Sequence, residues 1–326
     1  MRLAVYSTSR IVEEFLHFNA NMPEWQPDSI YCRPQSRKKA EGWAEKYGFS
    51  AVFTDEAEFL SRREYDAVYI GTANHLHFAA ARSALLAGHS VILEKPFTTS
   101  AAEARELFRI ADENGGMLLE AITVPYMPGF HFLKENIGAI GDVRVVYCNF
   151  SARSSRYDDY LSHIWNTTFD PECFGGALND MGIYNLHLIW GLLGRPISAE
   201  YRPSLGYNGV DTAGLALLDY GSFTAAAFAA KDSQSENGCM IQGTDGCLVL
   251  HGNINSLEGE LYAVVRGQRT EGPKTDRQRM ACEFAEFARI LSEKDAVAEA
   301  AARKRTMQVM EMLDELHGHT RVISQS

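Results

Sequence analysis

Six short apolar runs spaced by helix-forming segments occupy the first 121 residues: 3–6, 29–32, 51–53, 67–70, 90–94 and 117–121. They are largely apolar rather than alternating, and polar residues or glycine bound them. Strands covered on both faces read this way, and such strands belong to parallel sheets. Parallel strands need crossover connections, and the intervening segments supply helices. In one of these, Ala40, Trp43, Ala44 and Tyr47 make an apolar stripe that stops at Gly48. Another runs from a capping Asn74 to Gly88, and a third from near Ser100 to Gly115. Right-handed crossovers then predict an α/β fold with a doubly wound parallel sheet over residues 1–121.

Beyond residue 121 the pattern changes. Val146, Cys148 and Phe150 recur with period two, so one face of that strand is buried. A long helix is expected over 176–193, ending at Gly194-Arg195-Pro196. Five further strand-like runs follow at 214–220, 223–230, 239–244, 247–252 and 260–267, separated by short glycine-containing turns. They predict an open, mainly antiparallel sheet in a second, α+β domain over 122–326, which closes with a helical region at 277–317.

With a net charge of −11 the chain lacks the basic face that a polyanion partner needs, which excludes nucleic acid. No apolar run approaches the ~20 residues that span a bilayer, so no membrane partner is expected. The opening MRLAVYS holds one arginine and an apolar stretch too short for the core of a signal peptide, which makes a cytoplasmic protein the expectation. Cys32, Cys148, Cys173, Cys239, Cys247 and Cys282 form no C-x-x-C pair and flank no histidine at ligand spacing. Free thiols are expected, and a metal site is not.

Chemistry concentrates in two places. LEKPF, residues 93–97, closes the fifth strand, and the carboxyl ends of strands line the ligand crevice of open α/β sheets. Lys95 there points at cofactor and substrate. A lone lysine would pass for a solvated one; the Glu-Lys-Pro triplet tips the reading. GGALNDMGIYNLHLI, residues 175–189, sets Asp180, Tyr184 and His187 four and three residues apart on one helix stripe that also carries Ala177. An acid, a phenol and an imidazole make a poor core, although a buried tyrosine with a capped hydroxyl is common. Gly175 and Gly176 let another group approach the helix start closely. His187 reads as a structural histidine of the helix face, with contact to substrate or to a substrate-binding side chain as the alternative.

These blocks together resemble the glucose–fructose oxidoreductase / inositol dehydrogenase (Gfo/Idh/MocA) family. The resemblance spans essentially the whole chain. DAVYIGTANHLHFAAARSALLAGHSVILEKPF is its most specific block and GGALNDMGIYN the next. It implies a Rossmann domain, 1–121, that binds NAD or NADP. It also implies a second domain, 122–326, that binds a sugar-like substrate and forms a homodimer or homotetramer through its open sheet. Carried over residue by residue, the catalytic set is Lys95, Asp180 and Tyr184. Tyrosine at 184, where the inositol dehydrogenase branch has histidine, resembles glucose–fructose oxidoreductase, xylose dehydrogenase and the dimeric dihydrodiol dehydrogenases. SARSSRYD and the KDS at 231–233 resemble the second domain of that branch, without an assigned role. The implied reaction is hydride transfer between a nicotinamide and the carbinol or carbonyl carbon of a sugar, polyol or cyclic diol. A phenol with a pKa of about 10 is a poor base at neutral pH, and a nearby lysine cation favours phenolate. Tyr184 is therefore expected as the acid/base, Lys95 as its electrostatic partner and substrate anchor, and Asp180 as the group that orients substrate hydroxyls.

One departure stands out. The family usually writes its opening turn with glycines, as in I-G-T-G-x-I-A; here it is Tyr6-Ser7-Thr8-Ser9-Arg10-Ile11-Val12. Glycines there serve the tight turn, the close approach of pyrophosphate and helix–strand packing. Serine and threonine hydroxyls can donate to phosphate, and the helix N-terminus keeps its positive end. Ser7, Thr8, Ser9, Arg10 and Ile11 are thus expected at the cofactor, with Thr72, Asn74 and His77 of GTANHLH, and Glu94 and Lys95 of the fifth strand. Glu120 ends the sixth strand toward the same crevice. The end of the second strand, YCRPQSRKK, holds no acid before Glu41. Arg33 there suits a 2′-phosphate, so the expected cofactor is NADP, with NAD as the alternative. The glycine-free turn also admits a non-catalytic, sugar-binding or regulatory descendant of the family.

Overall fold

The structure, a computed structural model, describes residues 1–19, 22–275 and 277–319. Two compact units emerge: Met1–Ile122 with Met280–Met307, and Thr123–Arg279 with the chain from Gln308 on.

The first unit begins with β1 (Arg2–Tyr6), α1 (Arg10–Asn19), β2 (Gln26–Tyr31), α2 (Arg37–Tyr47), β3 (Ala51–Phe53) and α3 (Glu56–Ser61). It continues with β4 (Ala67–Ile70), α4 (His77–Leu86), β5 (Val91–Glu94), α5 (Ala101–Asn114) and β6 (Leu118–Ala121). All strand pairs are parallel, in the order β3-β2-β1-β4-β5-β6. Every residue of β4, β5 and β6 is buried, as continuous apolar runs require. Gly48 and Gly115 close α2 and α5 in the left-handed region, and the Ser100 hydroxyl caps α5 on the Glu103 N–H. Asn74 does not cap α4: it opens a 3₁₀ turn, Asn74–Leu76, and α4 starts at His77. The strand order reverses between β1 and β4, and the ends of those neighbours, Tyr6 and Ile70, lie side by side. A crevice forms at such a reversal.

The second unit holds α6 (Pro128–Asn136), β7 (Val143–Ser151), α7 (Tyr157–Leu161), α8 (Ile183–Leu193) and seven more strands. These are β8 (Ser198–Leu205), β9 (Asp211–Asp219), β10 (Thr224–Ala230), β11 (Gly238–Gly243), β12 (Gly246–Asn253), β13 (Glu258–Val265) and β14 (Gln268–Glu271). They form one sheet, β14-β13-β12-β11-β7-β10-β9-β8, antiparallel except where β7 meets β10. Alanine at 225, 227 and 229 keeps the inner face of β10 shallow, so α8 packs closely on β7 and β10. Asn185 of α8 donates to the Phe228 carbonyl at 2.8 Å and fixes that approach. β8 escapes a sequence reading because it is polar and contains Pro203, which only an edge strand tolerates.

A single cut at residue 121 does not describe the units. The closing helical region is two helices, α9 (Arg279–Glu293) and α10 (Ala296–Gly318), and most of it belongs to the first unit. The physical reason is aromatic burial. The Phe284 ring lies 4.4 Å from Phe15 and 5.2 Å from Tyr69, and its carbonyl accepts the Trp25 indole N–H at 2.8 Å.

Candidate active site

In the first unit the glycine-free turn follows β1. Ser7 has φ +123°, a region L-residues rarely adopt, so the backbone keeps the shape a glycine would give. Two contacts hold it there. The Ser7 N–H donates to the Tyr31 carbonyl of β2 at 3.0 Å, and the Ser7 hydroxyl accepts the Ser9 N–H at 3.0 Å. Ser9 then precedes α1, and its hydroxyl accepts the Val12 N–H at 3.4 Å. Each hydroxyl accepts from the backbone and retains its own proton, so each backbone donor is exchanged for a side-chain O–H donor. Such a turn, at a helix N-terminus, can still address a phosphate.

Val12 occupies the packing position, and the space it needs comes from a neighbour. Val12 is fully buried, and a Cβ on Gly71, just after β4, would lie 2.8 Å from its Cγ2 and 3.1 Å from Cγ2 of Ile11. The glycine missing from the helix is therefore supplied by the adjacent strand end. Thr8 is half-buried and Arg10 exposed at the same turn, and Lys39 of α2 donates to the Thr8 carbonyl at 3.1 Å.

The basic cluster after β2 is unequal. Arg37 is taken by Glu41 at 2.8 Å, and Lys39 by Thr8, Glu13 and the Trp43 ring. Arg33 is exposed and makes no ion pair among the described residues. Its guanidinium suits an incoming phosphate.

Around β5 the side chains are drawn inward. Glu94 is buried, accepting the Tyr69 hydroxyl at 2.7 Å and the Lys95 N–H at 3.3 Å. Glu120 is buried as well and accepts the Thr306 hydroxyl at 2.7 Å. His77 is fully buried, with Nδ1 2.8 Å from the Pro96 carbonyl and Nε2 3.2 Å from that of Thr72. Burial pulls its pKa down to about 4. A neutral ring has one N–H for two carbonyls, and the shorter contact points to Nδ1–H. His77 thus staples the Thr72 loop to the Lys95-Pro96 segment. Thr72, Asn74 and Lys95 all remain half-buried beside it.

In the second unit Asp180 and Tyr184 stand one turn apart. That turn is π-helical, Leu178–Gly182, and runs into α8. Wider turns of this kind recur at functional sites. Tyr184 is 5% exposed and meets Phe150 edge-on, with ring centroids at 5.5 Å. His187 is fully buried in α8.

Two residues that sequence reasoning left without a role organise this turn. Lys231, just past β10, is 2% exposed and its ammonium lies 2.6 Å from Asp180 Oδ2. Asp211, which opens β9, accepts the Leu178 N–H at 2.7 Å and the Tyr201 hydroxyl at 2.6 Å. Burial pushes the Asp211 carboxyl up to about 6, while Tyr201, Leu178 and Lys231 pull the other way. Gly176 has φ +110°, and a Cβ there would collide with the Asp211 carboxylate. The close approach that the two glycines announced is Asp211 at Gly176 and the carbonyls of Thr167, Thr168 and Asp170 at Gly175, 2.6–2.9 Å from its Cβ position. The sequence signal for Lys231 was the resemblance of the KDS at 231–233 to the second domain of the tyrosine-bearing branch, which assigned it no role.

The candidate residues thus divide, with Lys95 and the serine turn in the first unit and Asp180 and Tyr184 in the second. Among the described residues no helix is long and apolar enough to cross a membrane, and no group of three His, Cys, Asp or Glu could hold a metal ion.

Comparison with known proteins agrees on both units. A family model described as an oxidoreductase family with an NAD-binding Rossmann fold (GFO_IDH_MocA) matches residues 1–121. A GFO/IDH/MocA C-terminal domain model matches 136–249. A scyllo-inositol 2-dehydrogenase (NADP(+)) of Bacillus subtilis is 33% identical over 250 residues, covering 77% of this chain and 76% of that protein. A trans-1,2-dihydrobenzene-1,2-diol dehydrogenase of Mus musculus is 29% identical over 84% of this chain and 80% of its own. Among solved structures, KijD10, a 3-ketoreductase from Actinomadura kijaniata in complex with NADP and TDP-benzene, superposes with a TM-score of 0.85. At 20% identity, over 99% of this chain and 98% of that one, it is a likeness of fold.

Proposed function

The chain belongs to the Gfo/Idh/MocA family of oxidoreductases, and from that premise we propose that it is an NADP-dependent enzyme acting on a carbinol or carbonyl carbon of a sugar, polyol or cyclic diol. The observation that carries this reading is the pairing of two preserved halves. A turn with glycine-like backbone and hydroxyl donors follows β1, and an Asp–Tyr turn, built on a buried lysine, opens α8. NADP, when bound, accepts or supplies the hydride. Ser7, Thr8, Ser9, Arg10 and Ile11 would hold its phosphates, Arg33 would meet the 2′-phosphate, and Thr72, Asn74 and His77 would border the nicotinamide end. Tyr184 moves the hydroxyl proton, Lys95 stabilises its phenolate and anchors substrate, and Asp180 accepts hydrogen bonds from substrate hydroxyls.

Residues 1–121 serve as the cofactor domain, with the α9 segment packed onto it, and the second unit binds substrate. The outer face of the second sheet exposes Val145, Tyr147 and Phe228, with the two rings 5.6 Å apart, which favours assembly into a dimer or tetramer.

Calorimetric titration with NADPH and NADH tests the reading. Micromolar binding with NADPH preferred is the expected result. No binding of either at millimolar concentration would leave a sugar-binding descendant as the better description. Turnover of scyllo-inositol and of a cyclic trans-diol with NADP+ then tests the chemistry, and Tyr184→Phe should lower kcat by roughly two to four orders of magnitude.

A further inference from the structure

We infer that Lys231 is a positioning residue that holds Asp180 as a fixed, ionised acceptor and so requires a hydroxyl, rather than an anionic or carbonyl group, at that point of the substrate. The inference rests on the reading of Asp180 as a substrate contact.

The geometry is asymmetric. The Lys231 side chain is 2% exposed and that of Asp180 is 38% exposed. Here the cation is enclosed and its anion looks outward. A buried ammonium requires an anionic partner, because unpaired charge is costly in the interior. Asp180 therefore carries its charge, and a carboxylate without a proton can only accept hydrogen bonds.

Lys231 is itself immobilised. Its N–H donates to the Thr212 carbonyl at 2.7 Å, and its carbonyl accepts the Ser154 N–H at 2.8 Å. Its ammonium lies 5.1 Å from the centre of the Phe169 ring and 3.4 Å from the Thr168 carbonyl. The buried ammonium thus extends from a clamped backbone, and the 2.6 Å contact locates one carboxylate oxygen. Asp211 fixes the backbone of the same turn through Leu178. Lys231, just past β10, and Asp211, which opens β9, thus hold the π-helical turn from outside its own helix.

The test is a comparison of K231M, D180N and the K231M/D180N double variant. Methionine keeps the length of the side chain and removes its charge. With scyllo-inositol and NADP+, K231M should lower kcat/KM about 100-fold, as misplacement of a substrate-orienting group does, with the NADPH Kd unchanged. The double variant should match D180N, because Lys231 acts through Asp180. Losses that multiply in the double variant, or a K231M enzyme with normal kcat/KM beside a crippled D180N, overturn the inference and leave the function standing. A D180N enzyme with normal kcat/KM removes the substrate role of Asp180, and this inference with it. If scyllo-inositol is not turned over, the crystal structure of K231M decides: an Asp180 carboxylate displaced by about 1 Å or more supports positioning, and an unmoved one refutes it. Should K231M alone not fold, the double variant, which leaves no unpaired charge, decides by the same comparison with D180N.

Discussion

Gly71→Ala probes the exchange between the opening helix and the strand beside it. The residue has no left-handed φ, so alanine meets no backbone objection. The obstacle is contact: the new Cβ would lie 2.8 Å from Val12 Cγ2, 3.1 Å from Ile11 Cγ2 and 3.6 Å from Glu94 Cγ. Carbon atoms rest about 3.5–4.0 Å apart, so the nearest contact is too short by roughly 1 Å. Val12 is β-branched and fully buried, and cannot swing aside. Overpacking of this kind costs about 1–3 kcal/mol. Val12→Ala alone removes two buried carbons at about 0.8 kcal/mol each, plus a cavity term, for about 2 kcal/mol. In the double variant the methyl introduced by Gly71→Ala enters the space that Val12 vacated. The two costs should then fall short of additivity by about 1–2 kcal/mol. Urea unfolding of the four proteins, with the transition of the first unit followed by Trp25 and Trp43 fluorescence, measures the cycle. Additivity within about 0.5 kcal/mol would mean that Val12 and Gly71 do not share this space. Calorimetry adds a functional readout: Gly71→Ala, which presses on the turn at Ile11, should weaken NADPH binding, and Val12→Ala should restore it.

Ser7→Gly relieves a strain of about 1–3 kcal/mol and loses one hydrogen bond worth about 1 kcal/mol, so its melting temperature should hold or rise; a loss exceeding about 1 kcal/mol would show that Ser7 is not strained. His77 binds its proton less readily folded than unfolded, so its contribution is fully present above pH 6.5 and is lost as pH falls toward 4, by at most about 3 kcal/mol. His77→Asn should flatten that part of the stability curve, and an unchanged slope would refute the assignment. Asp211 runs the opposite way, because its folded pKa near 6 exceeds the ordinary 3.8: stability falls as pH rises through 4 to 6, and Asp211→Asn should remove that fall while keeping an acceptor for Tyr201 and Leu178.

Local pattern carried much of the architecture. The largely apolar runs at 67–70, 90–94 and 117–121 read as strands covered on both faces, and Gly48 and Gly115 marked helix ends because only glycine enters the left-handed region freely. Lys95, Asp180 and Tyr184 stood out as candidates because their residue types are unusual at a strand end and on a helix stripe, and because the blocks around them resemble the family's. What stayed hidden depends on residues far apart in sequence. Val12 is tolerated because of Gly71, Gly176 is required because of Asp211, Asp180 is set by Lys231, and the first sheet is covered by Phe284. Periodicity reports which side of an element faces inward; it carries no record of what waits there. Those partners are chosen by the register of one strand against another and by the path of the chain, and only the folded molecule brings them within a few ångströms of each other.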